Sequence, residues 1–205
     1  MARKSTTGPK DSRNLKNRRI CRAADMPQEV LYKRFINSSE SPTVVLIDMD
    51  FLYKEFHRIR LFYAQYYNVN NLRTHIEELT LIDSICRLIS LNKQISSFYA
   101  FHLSTKITDL FSTRQYKQLK LVRCKELPCF AMDDVVNSLP TVGRVVLVAD
   151  QMQYPAFLYD LVERGYAVGV LKHRQENDLD WSVMPSNLPY QYVDYIVADC
   201  LGVAP

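Results

Sequence analysis

The stretch VVLVADQMQYPAF, residues 145–157, runs five aliphatic residues into an aspartate, continues with polar residues, and then places a proline where a helix can open. An aliphatic run without polar alternation reads as a strand buried on both faces. Proline is tolerated in a first helical turn, because its missing N–H would have no intrahelical partner there. The same order of residues occurs earlier as TVVLIDMDFLY, residues 43–53. Buried strands alternating with helices build a parallel sheet, and such sheets bind ligands beyond the carboxyl ends of their strands. Asp48 and Asp150 stand at those ends.

Working outward, strands are predicted at 43–49, 95–101, 119–124, 144–149 and 166–171. A long helix is predicted at 71–91, where Ile76, Leu79, Ile82, Ile85, Cys86 and Ile89 share one stripe. A second, at 155–164, is stopped by Gly165 as a C-terminal cap. A short helix is expected at 27–37. The expected fold is a three-layer α/β/α domain with a mainly parallel sheet over residues 43–205, preceded by a helix and linker (25–42) and a basic arm (1–24).

The 205 residues carry a net charge of +4, distributed unevenly. Residues 1–24 hold eight basic residues against Asp11 alone, a charge of +7, while the remainder holds 18 basic and 21 acidic. The arm has too few apolar residues to pack by itself. Its basic residues, Arg13, Lys16, Arg18, Arg19 and Arg22 among them, suit a nucleic-acid backbone. A protein partner, self-association, or a solubilising or targeting tail are the other uses of such an arm. No apolar run is long enough to span a bilayer and no signal-peptide core follows the N-terminus, so an intracellular, non-secreted protein (cytoplasmic or nuclear) without a membrane partner is expected. The five cysteines form no C-x-x-C pair and read as reduced. With five glycines and no glycine-rich phosphate loop, a glycine-cradled nucleotide site is not indicated.

Acids that end neighbouring strands repel one another unless a divalent cation compensates them. The candidates are Asp48, Asp50, the Asp133–Asp134 pair and Asp150, and the chemistry they suit is metal-assisted hydrolysis of a phosphodiester. The structural alternative is that each strand-end aspartate caps the next helix.

These segments resemble the NYN branch of the PIN-like ribonucleases. VVLIDMDFLY (44–53) resembles the family's opening I-D-G-x-N-L, and KELPCFAMDDVV (125–136) occupies the place of its middle acidic segment. RVVLVADQMQYPAFLYDLVERGYAVGVL (144–171) resembles its S-G-D-x-D-F strand, helix and glycine, and QYVDYIVADCLGV (191–203) its closing segment. The resemblance implies a PIN-like, Rossmann-like domain with Asp48, Asp134 or Asp133, and Asp150 holding Mg²⁺ or Mn²⁺. It implies a ribonuclease acting on single-stranded or structured RNA, with Asp48, Asp134 and Asp150 catalytic. Phe51 stands where the family has Asn, Ala149 where it has Gly, and Gln151 to Gln153 where its second Asp falls. A catalytically silent RNA-binding or assembly component of the same fold is the alternative those positions suggest. IDMDFL also resembles the D-x-D-x-T opening of haloacid-dehalogenase-type phosphatases, but the later motifs of that family are absent.

Other residues carry weaker signals. Lys172, His173 and Arg174 follow the fifth strand, where Lys172 and Arg174 suit a phosphate backbone. Tyr63, Tyr66 and Tyr67 are of a type that stacks on bases. Asp194 and Asp199 are late acids, and the four histidines lack metal-pair spacing.

Overall fold

Strand β1 (Thr43–Asp48) is buried along its whole length, and its alternate residues fill two separate cores. Val45 and Ile47 face one layer, while Val44 and Leu46 face the other. Strand β4 (Arg144–Val148) divides in the same way, Val146 and Val148 to the first layer and Val145 and Leu147 to the second. A strand covered on both sides has no wet face, which is why neither stretch alternates apolar with polar.

The computed structural model describes residues 35, 41–67, 72–89, 95–103, 118–173, 185 and 188–203. The helix expected at 27–37, Phe35 excepted, lies outside them, as do the basic arm and Arg174. Between β1 and β4 come α1 (Met49–Tyr67), α2 (Glu78–Ile89), β2 (Ile95–His102), β3 (Leu119–Arg123) and α3 (Pro128–Asn137). After β4 follow α4 (Pro155–Glu163), β5 (Ala167–Lys172), β6 (Tyr190–Tyr192) and α5 (Asp194–Leu201). The six strands form one parallel sheet in the order β3-β2-β1-β4-β5-β6. Helices α1, α2 and α5 supply the first core, and α3 and α4 the second. The three-layer α/β/α, Rossmann-like arrangement expected from the sequence is therefore present. Among the described residues no helix is long and apolar enough to cross a membrane.

Several elements differ from the sequence reading, β6 and α5 among them as additions to the expected strands and helices. The helix expected at 71–91 starts only at Glu78, although Ile76 before it is already buried in the first core. Helix α1 escaped notice because its buried residues Met49, Leu52, Phe56 and Ile59 are interleaved with tyrosines, His57 and charges. At the end of α4 the expectation holds. Gly165 has a φ of 84°, and the N–H groups of Gly165 and Tyr166 donate to the carbonyls of Val162 and Leu161. That pair of hydrogen bonds closes a helix only through a left-handed residue, a conformation glycine adopts without strain.

Phe35 packs onto the first layer. Its ring lies against Gly169 of β5, its carbonyl accepts a bond from Arg144 Nη2, and the Arg144 guanidinium sits 4.7 Å from the ring centroid. A Cβ on Gly169 would meet the ring at 2.5 Å. Gly169→Ala is expected to lower stability by about 1–3 kcal/mol through overpacking, and Phe35→Ala by about 3–5 kcal/mol through the cavity it leaves. In the double variant the methyl group occupies part of that cavity, so the losses should fall short of additive in denaturant unfolding. Additive losses would place Phe35 elsewhere.

Candidate active site at the carboxyl ends of the strands

The sheet order reverses between β1 and β4, and in open α/β sheets the ligand crevice lies outside the carboxyl ends at that switch. Ile47 pairs with Val148, so Asp48 lies level with Ala149 and Asp150 follows one residue on. Neighbouring strands are about 4.8 Å apart. Topology thus brings Asp48 and Asp150 to adjacent strand ends.

Asp48 is 4% exposed. Its Oδ1 accepts the Phe51 N–H at 3.0 Å, capping the first turn of α1, and its Oδ2 accepts the Tyr154 hydroxyl at 2.6 Å. Burial pushes the Asp48 carboxyl above its usual range and the nearby Asp50 adds to this, against the two hydrogen bonds, which favour the ionised form. Burial and the Asp48 carboxylate together hold the Tyr154 hydroxyl protonated, well above the usual phenol range. Asp50 Oδ2 accepts the Leu103 N–H at 2.7 Å, tying the end of β2 to the start of α1. Asp150 Oδ1 accepts the Met152 N–H at 3.2 Å, capping the 3-10 turn Gln151–Gln153, and Gln153 Nε2 lies 3.5 Å from Oδ2. The capping alternative is thus realised by Asp48 at α1, whereas Asp150 caps the intervening 3-10 turn and α4 has no side-chain cap.

The middle acids are placed differently. Asp133 pairs with Arg164 at 2.6 Å and accepts from Asn137 Nδ2 at 3.1 Å; Arg164 also holds Asp160 at 2.7 Å. Arg164 caps the far end of α4, about 14 Å of helix from its start. The Asp133 carboxylate therefore joins α3 to α4 and is not brought to the strand ends. Asp134 is exposed on α3. Among the described residues no group of three His, Cys, Asp or Glu side chains converges to hold a metal ion.

Lys172 is buried, its ammonium 4.1 Å from the Tyr190 ring centroid and 5.7 Å from that of Tyr192. Packed inside the fold, it is not presented to a phosphate backbone, contrary to the sequence reading. The reason is strand parity: Lys172 follows Val168 and Val170 onto the covered second face. His173 Nδ1 lies 3.5 Å from Oε1 of the buried Glu55, whose Oε2 accepts two bonds from Arg58 at 2.9 and 2.7 Å. Asp199 pairs with Arg87 at 2.7 Å, linking α5 to α2, and Asp194 Oδ2 is buried without a hydrogen-bond partner among the described residues. Cys124 and Cys129 are free thiols, and burial pushes the Cys124 thiol up. Tyr63 and Tyr66 lie near the end of α1, about 25 Å of helix from Asp48. Sequence reasoning passed over Tyr154; its only signal was its place one residue before the helix-opening Pro155.

The fold and these strand-end acids define a doubly wound α/β protein with an acidic switch point. Comparison of the chain with protein-family models, with curated proteins and with solved structures gives no match.

Tyr154→Phe removes the donor to a buried carboxylate and should cost about 1–3 kcal/mol. The titration of Asp48 has a defined sign. The folded carboxyl holds its proton more tightly than the unfolded chain, near 3.8, so ionisation lowers stability as pH rises, and stability returns as pH falls through the raised folded value. In melting curves without divalent ions, the Tm of Asp48→Asn relative to the parent should therefore be most favourable near pH 7 and decline towards pH 4. A pH-independent difference would show that burial does not perturb Asp48.

Proposed function

We propose that this chain is a metal-dependent ribonuclease of the PIN-like (NYN) type, acting on single-stranded or structured RNA at the switch-point crevice. The observation that carries this reading is the placement of Asp48 and Asp150 on adjacent parallel strand ends, with Asp50 close enough to raise the Asp48 carboxyl. Mg²⁺ is commonly held by only one or two carboxylates, with water and substrate phosphate completing its shell, so two strand-end acids are enough in number for Mg²⁺ or Mn²⁺. A bound ion supplies charge neutralisation and an activated water. Asp48 and Asp150 hold it, Tyr154 orients Asp48, and Asp134 is the remaining acid of the family pattern.

A second reading, a silent RNA-binding or assembly component, is favoured by a specific observation. Both oxygens of Asp48 already serve the fold, and Asp133 is engaged by Arg164.

One experiment separates the two. In the first reading Mg²⁺ or Mn²⁺ raises the Tm, as any ligand of the native state does. Asp150→Asn, which keeps an acceptor for Met152, then abolishes both that rise and cleavage of a single-stranded RNA. A Tm indifferent to either ion, with RNA bound but uncleaved, selects the silent component.

A further inference from the structure

Helix α1 starts at the crevice and runs back along the first layer, and its outward face has a composition that the site does not explain. The exposed residues with described side chains are Lys54, Arg58, Leu61, Phe62, Gln65 and Tyr66. They fall at i, i+4, i+7, i+8, i+11 and i+12, one continuous stripe of a 3.6-residue helix. No acid is on it, since Glu55 of the same helix is buried under Arg58. The stripe is ordered: cations in the half nearer the crevice, aromatics beyond.

Phe62 is 54% exposed and Tyr66 73%. Their rings are stacked on each other, with centroids 5.5 Å apart and planes 15° from parallel. A contiguous pair of large exposed rings is the kind of apolar patch that marks an interaction surface, unlike a singly exposed residue. Tyr63, by contrast, packs against the first core, and Arg60 donates to the Arg73 carbonyl at 3.1 Å, so neither belongs to the stripe.

We infer that this stripe is a binding track for single-stranded RNA, with Lys54 on a phosphate and Phe62 and Tyr66 stacking bases. The inference rests on the RNA reading above and deepens it by placing the strand. Charge selects the occupant: with Arg58 already paired to Glu55, Lys54 leaves the exposed face with a positive charge and no exposed acid, which suits a polyanion, while aromatic faces accept any base. A duplex conceals its base faces, so the aromatic half of the track discriminates for single strands. The strand would leave the crevice beside Lys54, about 8 Å of helix from Met49, and follow α1 outward.

The test is fluorescence anisotropy of the full chain with a labelled single-stranded RNA 12-mer and its duplex, in buffer without divalent ions. Phe62→Ala with Tyr66→Ala should weaken single-strand binding about 10- to 100-fold. Duplex binding and the salt slope should be unchanged. Lys54→Gln should reduce the slope of log K against log salt by about 0.7, the loss of one phosphate contact on a single strand. All three side chains are on the surface, so an unchanged melting curve confirms intact variants. Parent-like affinity of the aromatic double variant overturns the track while leaving the RNA reading standing. A parent chain that binds no RNA, yet forms a dimer in sedimentation that the double variant loses, overturns both and assigns the face to self-association.

Discussion

The carboxylate of Asp48 is the point at which the halves of the molecule are tied together. It ends the central strand, starts α1 through the Phe51 N–H, and receives the hydroxyl of Tyr154 from the segment that opens α4. One side chain thereby links both layers to the sheet at the switch point. A buried carboxylate is unfavourable unless its oxygens are bonded, and here the bonds come from elements on opposite sides of the sheet. The position admits few replacements, because the acceptor must serve a backbone and a phenol at once.

The same arrangement sets fold against chemistry. Hydrogen bonds that make Asp48 tolerable in the interior also engage its oxygens, while burial and Asp50 oppose its charge. A divalent ion would reverse that balance by favouring the ionised form. Asp150 is less constrained, since the bonds it accepts come from its own turn and leave it partly exposed. Asp133 has moved out of this contest by joining α3 to α4 through Arg164, a contact between half-exposed groups that contributes little to stability.

Helix α1 connects the crevice with the rest of the surface. Its inner face supplies Met49, Leu52, Phe56 and Ile59 to the core, and its buried Glu55 lies 3.5 Å from His173 after β5. Its outer face carries the cations and stacked rings. Buried and exposed sides of one helix thus share a register, so what reaches the solvent is fixed by what the core requires.

The sequence by itself determined the two unalternating strands, the glycine stop after α4, and the parallel α/β class. These are local: periodicity follows from which faces are covered, and the stop follows from a backbone conformation glycine favours. It also placed Asp48 and Asp150 at strand ends, because in each stretch an unbroken aliphatic run gives way to an aspartate. Only the tertiary structure decided which acids meet. The strand order makes β1 and β4 neighbours, a relation across about 100 residues that no local pattern encodes. Strand parity buried Lys172, and a helix-to-helix ion pair took Asp133, though both read as site residues in one dimension. Tyr154 was illegible for the same reason: a phenol 106 positions along the chain becomes the partner of Asp48 only through folding.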